Sequence, residues 1–251
     1  MIAIIALVFG VAALTHVAPF PFLFEAFRPS KSLWHVKPRP GAAPAIYLTF
    51  DDGPNPEWTP ALLDALREQS VRATFFLIDE HITVETAAIV KRIADEGHAI
   101  GLHSGNRWLM LRSPDELART LENAAARISW ITGRAPCRLF RPHGGWRSTA
   151  MYDGLNRAGY TLAGWSWGMW DWHWWRTPLG SRVAPRLARK ASAGDIIVIH
   201  DGHHVNPRAD RRHAAEIVRL LVPALRSRGF EFGTLCNGSE ITAPLGGVER
   251  R

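Results

Sequence analysis

Two adjacent carboxylates follow an apolar run in the first third of the chain. Asp51 and Asp52 come directly after residues 45–50, and Gly53-Pro54 comes next. The run is rich in β-branched, aromatic and bulky apolar residues, so it predicts a buried strand that brings both acids to a turn. Neighbouring carboxylates raise each other's pKa unless a cation or a donor intervenes. The conflict would be resolved if one acid bound a metal ion and the other acted as a general base. The alternative is that both acids lie in an ordinary surface turn.

A second strand-like run ends on a histidine. Residues 98–103 finish on His103, which is followed by polar and small residues. Active sites of parallel α/β folds lie at the carboxyl ends of their strands, so we expect His103 and Asp52 at the same end of the sheet. Because imidazole is a good zinc ligand, His103 is a candidate metal ligand. Taken alone, His103 could instead be an ordinary loop histidine that is held by hydrogen bonds.

Strand-like and helix-like segments alternate along the rest of the chain. Thr59-Pro60 predicts a helix N-cap followed by proline at the first helical position, and residues 113–116 predict a capping box. Further strands are predicted at residues 73–78, 98–103, 138–141, 161–165, 195–200 and 230–235. This alternation predicts an α/β fold with a parallel sheet and right-handed crossovers.

The length and charge set broad limits on function. A chain of 251 residues is enough for one sizeable domain, and the formal charge of +7 is spread over the sequence apart from a basic cluster at Arg208, Arg211 and Arg212. This charge weakly favours an anionic partner such as a membrane or cell-envelope surface. No motif supports nucleic-acid binding, and we expect a monomer.

The first acidic pair lies in a recognisable motif. Residues 49–54 read Thr-Phe-Asp-Asp-Gly-Pro, and with the prolines at positions 56 and 60 they resemble the first motif of the polysaccharide deacetylase family, the chitooligosaccharide and peptidoglycan N-deacetylases. The likeness extends in order over about residues 45–235. It implies a distorted (β/α) barrel, a catalytic domain over 45–236 and a C-terminal tail over 237–251. It also implies that Asp51 is the general base and that Asp52 binds a divalent metal ion, usually zinc.

The second motif departs from the family pattern. The related enzymes carry two histidines four positions apart, whereas here His103 is followed by Ser-Gly-Asn and then Arg107. A catalytic zinc usually has three protein ligands. Asp52 and His103 are therefore the two clear candidates, and the third is open between Asn106 and His143.

Three later motifs complete the resemblance. Residues 141–145, Arg-Pro-His-Gly-Gly, resemble an Arg-Pro-Pro-Tyr-Gly element, which implies that Arg141 orients the catalytic carboxylate and that the backbone N–H of Gly144 helps to bind an oxyanion. Asp171 matches the second acid of an Asp-x-x-Asp-Trp element whose first acid is replaced by Gly168. His200 matches the general acid, a role that suits an imidazole near neutral pH.

Six tryptophans lie between positions 165 and 175. Core packing, a membrane-interface belt and an apolar wall for sugar rings are all open for this cluster. We expect Trp172 and Trp146 to contact the substrate.

The N-terminal residues form an apolar segment. Residues 2–24 contain no charge, which predicts a signal sequence or membrane anchor over 1–28, followed by a Pro-rich, basic linker over 29–44. No small-x-small cleavage site is evident, which favours an uncleaved anchor. The basic residues on its C-terminal side favour a cytoplasmic domain by the positive-inside rule. The family context favours an envelope-facing domain, membrane-anchored or secreted, and we give it more weight.

The leading hypothesis is a metal-dependent hydrolase that removes N-acetyl groups from an amino-sugar polysaccharide, oligosaccharide or glycolipid. The alternative is a membrane-tethered carbohydrate-binding domain that keeps the fold and has lost catalysis. Cys137 precedes one predicted strand and Cys236 follows another, so we expect them at opposite ends of the barrel without a disulfide between them.

Overall fold

The computed structural model describes residues 4–5, 32–38, 40–168, 171 and 179–236. Apart from Ile4 and Ile5, the predicted N-terminal segment over 1–28 lies outside these residues, as does the predicted tail over 237–251. Within the described part of the chain, no helix combines the length and the apolar character needed to cross a membrane.

Strands and helices alternate as the sequence predicts. The strands are β1 (Ser32–Leu33), β2 (Ala45–Gly53), β3 (Thr74–Ile78), β4 (Ala99–His103), β5 (Leu139–Arg141), β6 (Thr161–Ala163), β7 (Trp167–Gly168), β8 (Ile196–His200) and β9 (Glu231–Gly233). The helices are α1 (Trp58–Glu68), α2 (Ala87–Asp95), α3 (Pro114–Thr132), α4 (Thr149–Ala158), α5 (Gly180–Lys190) and α6 (Arg212–Arg226). Short 3₁₀ turns follow β3, β4 and β5 at Asp79–His81, Arg107–Leu111 and His143–Gly145.

The strands form one parallel sheet that curls on itself. Its order is β1-β6-β5-β4-β3-β2-β8-β7, and β9 pairs with the start of β2. Only residues 164–166 separate β6 from β7, although these strands lie near opposite ends of that order. The two edges must therefore approach each other, which gives the distorted (β/α) barrel that the family resemblance implied.

The inside of the curled sheet is filled by alternate residues of the strands. Phe76, Leu139, Ala163 and Ile196 form a cluster separate from the larger core beneath the helices. Gly101 faces this cluster, because a Cβ built there would lie 2.7 Å from the Phe76 ring. Since strand side chains alternate between faces, the same inward rows end on polar residues at the carboxyl edge of the sheet.

The helices cover the outer face of the sheet. Of the two helix N-termini predicted from the sequence, one is confirmed and one is wrong. Ser113 and Glu116 form the predicted capping box of α3. Thr59 is not an N-cap, because α1 already begins at Trp58. Asn55 accepts hydrogen bonds from the N–H groups of Glu57 and Trp58 instead, at 3.0 and 3.1 Å. This frees the Thr59 hydroxyl for a contact near the site described below.

Part of the stretch predicted as a linker belongs to the sheet. Residues 32 and 33 form β1 beside β6, and the Trp34 ring lies 6.1 Å from that of Trp165. The N–H of Gly164 donates to the carbonyl of Leu33 at 2.8 Å. Trp34 therefore packs against the segment that joins the two edges of the sheet.

The expectation about the cysteines is wrong: Cys137 and Cys236 form a disulfide, with Cα atoms 5.9 Å apart. The prediction assumed that β9 runs the full height of the barrel. Instead β9 pairs only with Ala45 to Tyr47, the first residues of β2, and the N–H of Leu235 then donates to Thr74 at the start of β3. Cys236 therefore stays at the amino end of the sheet, where Cys137 enters β5.

Candidate active site

The polar ends of the inward rows meet at the carboxyl edge of the sheet. Asp51 ends the row of β2, and Arg141 ends that of β5. Arg141 is fully buried and its Nη1 donates to Asp51 Oδ1 at 2.6 Å and to Thr49 Oγ1 at 2.8 Å. The carbonyls of Ala163 and Gly164 accept its other donors, so the guanidinium is held by several partners besides Asp51.

A local irregularity brings Asp52 into the same cavity as its neighbour. Consecutive strand residues face opposite sides, but the β2–β3 register shifts between Asp51 and Gly53. Asp52 is the extra residue of this bulge and has a φ of 70°, a left-handed conformation that Asp tolerates better than most residues. The Nδ1–H of His81 donates to its carbonyl at 3.1 Å and helps to fix this conformation.

Three buried side chains form a cluster suited to a metal ion. Ligand atoms of Asp52, His103 and His143 all lie within 4.8 Å of one another. His143 is positioned by its backbone N–H, which donates to Ser104 Oγ at 2.8 Å. Asn106 is exposed, and its Oδ1 accepts from the N–H groups of Trp108 and Leu109. Of the two candidates for a third ligand, the structure brings His143 to the cluster and leaves Asn106 outside it.

The donor atoms of this cluster fit a cation. A backbone carbonyl only accepts, so His103 Nδ1, 2.7 Å from the carbonyl of Arg141, carries the hydrogen in the neutral ring. The Nε2 lone pair then faces Asp52 Oδ1 at 3.2 Å, and this buried oxygen has no hydrogen-bond donor. When a proton occupies Nε2 instead, the charged His103 donates to Asp52 and holds the pKa of that carboxyl well below its usual value, although burial opposes this. Two lone pairs that face each other in a buried site are stabilised by a metal ion between them.

A histidine and an aspartate form a second pair across the mouth. Asp171 accepts the backbone N–H of His200 at 2.5 Å and its Nδ1–H at 3.1 Å. Burial alone would lower the pKa of His200, but the Asp171 carboxylate raises it to about 9. His213 of α6 lies on the far side, with Nε2 3.7 Å from Asp171. The imidazole of His200 is therefore protonated at neutral pH.

One cavity joins these groups. Its lining includes Asp51, Asp52, His103, His143 and His200 together with Gly144, Trp146, Trp165 and Arg107. Gly144 has a φ of 60°, a conformation that favours glycine. Trp146 lines the cavity, whereas Trp172 lies outside the described residues. Trp167 points elsewhere, because its indole N–H donates to Asp195 at 2.8 Å.

The sequence places Asp201, His203 and His204 in the loop after His200, where we expect solvated side chains with a metal role left open. For Asp201 this expectation is wrong, because it is fully buried near Asp51 and Asp52 and accepts the hydroxyl of Thr59 at 2.5 Å. Burial and the nearby Asp52 and Asp51 raise the pKa of Asp201 to about 7. The His204 ring contacts that of His143, with ring centroids 4.3 Å apart and the planes tilted by 48°. The sequence signal for this loop is the density of aspartate and histidine in residues 201–204, directly after the strand-ending His200.

The fold is a distorted (β/α) barrel, and its cavity brings together an Arg-paired carboxylate, an Asp/His/His cluster that could hold a metal ion and an Asp-paired histidine. Comparison with known proteins agrees. The family model described as polysaccharide deacetylase matches residues 39–163. The chain is 33% identical over 204 residues to a peptidoglycan-N-acetylglucosamine deacetylase of Bacillus cereus, covering 80% of this chain and 90% of that protein. It is 35% identical over 194 residues to a chitooligosaccharide deacetylase of Azorhizobium caulinodans, covering 74% and 90%.

Solved structures show the same similarity. A peptidoglycan N-acetylglucosamine deacetylase matches with a TM-score of 0.71 and 26% identity, over 84% of this chain and 94% of that one. A family 4 acetyl xylan esterase from Clostridium thermocellum, solved with a cobalt ion, matches with a TM-score of 0.66 and 30% identity, over 76% and 88%. The chain belongs to the polysaccharide deacetylase family.

Proposed function

We propose that this protein removes N-acetyl groups from amino-sugar residues of a polysaccharide, oligosaccharide or glycolipid by metal-dependent hydrolysis. The observation that carries the proposal is that a paired carboxylate, a three-residue metal cluster and a charged histidine line one cavity. Hydrolysis of an acetamide needs a base for water, a group that stabilises the oxyanion and an acid for the leaving amine.

The metal ligands in this proposal are Asp52, His103 and His143. Two imidazoles and one carboxylate are a ligand set typical of catalytic zinc, which we propose as the cofactor. When bound, the ion supplies Lewis acidity that polarises the acetamide carbonyl and acidifies water. His143 lies in the 3₁₀ turn after β5, whereas His103 ends β4, so this chain fills the third position from a different element than the family's two-histidine motif does.

Asp51 takes the role of general base. Arg141 engages its Oδ1, so Oδ2 is the oxygen left to accept a proton from the attacking water. The hydrogen bond to Arg141 orients Asp51, whereas Asp52 faces His103 of the cluster, so the proposed base and the proposed metal ligand have different partners. We propose that the backbone N–H of Gly144 donates to the developing oxyanion and that Trp146 packs against the sugar ring.

His200 donates the proton that releases the amine. Its Nδ1–H is held by Asp171, so Nε2 is the nitrogen available for the transfer. The raised pKa of about 9 keeps the acid charged under neutral conditions. Because relatives are named for peptidoglycan and chitooligosaccharides, we propose an envelope-facing enzyme, membrane-anchored or secreted.

The test is acetate release from a chitooligosaccharide and from peptidoglycan fragments. We expect the wild type to release acetate, to lose activity after treatment with a chelator and to recover it when Zn²⁺ is added. Asp51→Asn serves as the inactive control. A wild-type protein that holds zinc and binds these sugars but releases no acetate would establish the alternative, a carbohydrate-binding domain that has lost catalysis.

A further inference from the structure

A cationic side chain lines the active-site cavity beside the metal cluster. Arg107 begins the 3₁₀ turn after β4 and lines the same cavity as Asp52, His103 and His143. Its Cζ atom lies 5.2 Å from the centroid of the Trp146 ring. Although Arg107 is exposed, its guanidinium therefore lies over an aromatic face at the edge of the cavity.

In the described part of the chain, no carboxylate oxygen lies within 4.0 Å of the side-chain nitrogens of Arg107. No ion pair there neutralises its charge. Asp51 is paired with Arg141, and Asp52 faces the histidines of the cluster. Both carboxylates of the cavity are thus committed to other groups. A divalent cation in the cluster would leave this mouth with an excess of positive charge, which attracts an anion.

A guanidinium that lies over an aromatic ring can still bind an oxyanion. In such a cation–π contact the N–H donors that point away from the ring stay free. Those donors match the two oxygens of a carboxylate or phosphate in a bidentate arrangement. Trp146 also restricts the rotamers of the side chain, which lowers the entropy cost of binding.

We propose that Arg107, held by Trp146, forms a subsite for an oxyanion carried by the substrate, a carboxylate or a phosphate on the acetamido sugar or on the residue next to it. This inference rests on the proposed function, because it assigns the substrate class of the same cavity. It predicts that anionic amino-sugar substrates are preferred over neutral ones of the same shape.

Two matched ligand pairs test the subsite by isothermal titration calorimetry in the Asp51→Asn background, which prevents turnover. The first is an N-acetylglucosamine oligomer with a 3-O-lactyl carboxylate on alternate sugars and the same oligomer as its carboxamide. The second is N-acetylglucosamine 1-phosphate and the neutral methyl glycoside. We expect the anionic member of at least one pair to bind about tenfold more tightly or better. The pair that shows the preference identifies the carboxylate or the phosphate.

When Arg107→Gln is added to Asp51→Asn, the anionic ligand should bind no more than about twofold more tightly than its neutral counterpart. This ratio is the readout even where the substitution changes the affinity for both ligands alike. Arg107→Lys should keep part of it, since the charge remains without the planar fork. Arg112→Gln removes a charge from the same loop without lining the cavity, so it should leave the ratio unchanged. Equal binding within both pairs, or a preference that survives Arg107→Gln, would overturn the subsite. Because binding is measured without turnover, a wild type that releases no acetate refutes the proposed function alone.

Discussion

Asp171 holds His200 at two points, accepting its backbone N–H at 2.5 Å and its Nδ1–H at 3.1 Å. The first contact fixes the end of β8, and the second fixes the ring and the position of its hydrogen. Both partners are buried, so the carboxylate keeps a positive charge on a ring that burial alone would leave neutral. In the proposed reaction, Asp171 is therefore a positioning residue that acts through His200.

The first prediction concerns the pH dependence of this pair. His200 must be protonated to act as an acid, and its pKa is raised, so the active form is present below a pH of about 9 and is lost above it. In Asp171→Asn the largest interaction that raises this pKa is removed. We expect the alkaline limb of kcat/KM to move towards or below the ordinary histidine pKa of about 6.5. The measurement is a pH profile of acetate release.

The control for this profile is Asp95→Asn, which removes an exposed carboxylate paired with Lys91 on α2. Its alkaline limb should stay where the wild type has it. An Asp171→Asn variant with an unshifted limb would show that another group, not His200, sets the alkaline limb.

The second prediction concerns the base. Asp51→Asn keeps the shape of the side chain and can still accept from Arg141, but an amide does not take up a proton from water. We expect kcat to fall by about 10²–10⁴-fold, with substrate affinity and the unfolding midpoint close to those of the wild type. Acetate release within tenfold of the wild type would remove Asp51 from the role of base.

Asp51 and Asp52 could be chosen as candidate site residues from the sequence because their signal is local. An apolar run that ends on Asp51 and Asp52 needs only the neighbouring residues to be interpreted, and the same holds for the run that ends on His200. The bulge that turns Asp52 into the cavity could not be predicted, since it depends on the register with β3. His213 reaches Asp171 from a helix near the end of the chain, and no spacing in the sequence indicates that contact.

The third prediction concerns the third metal ligand. His143→Ala should lower the zinc content that survives dialysis, because the site loses a bond and a geometric constraint. Asn106→Ala should retain zinc, since its side chain is used in local hydrogen bonds outside the cluster. Arg107→His, which restores the residue type of the family motif, should add little because His143 already supplies an imidazole. Zinc loss in Asn106→Ala with full retention in His143→Ala would reverse this assignment.

The disulfide shows which feature of the fold could not be predicted from the sequence, namely the residues at which distant strands pair. The sequence correctly predicts that Cys137 precedes one strand and that Cys236 follows another. It does not show with which residues of β2 the strand β9 pairs. Three paired residues at the start of β2 leave the chain at the amino end of the sheet. A difference of a few residues in register thus decides whether two cysteines meet.

The last prediction follows from this covalent link, which joins residues 99 positions apart. A cross-link that closes a loop of this length restricts the unfolded chain and contributes typically about 2–4 kcal/mol to stability. We expect the Cys137→Ala/Cys236→Ala double variant to lose about that free energy of unfolding in urea titrations. Because the bond lies at the amino end of the barrel and the site at the carboxyl end, kcat/KM at 25 °C should be retained. Titration of two free thiols in the native wild type, or equal stability of the two proteins under oxidising conditions, would contradict a stabilising disulfide.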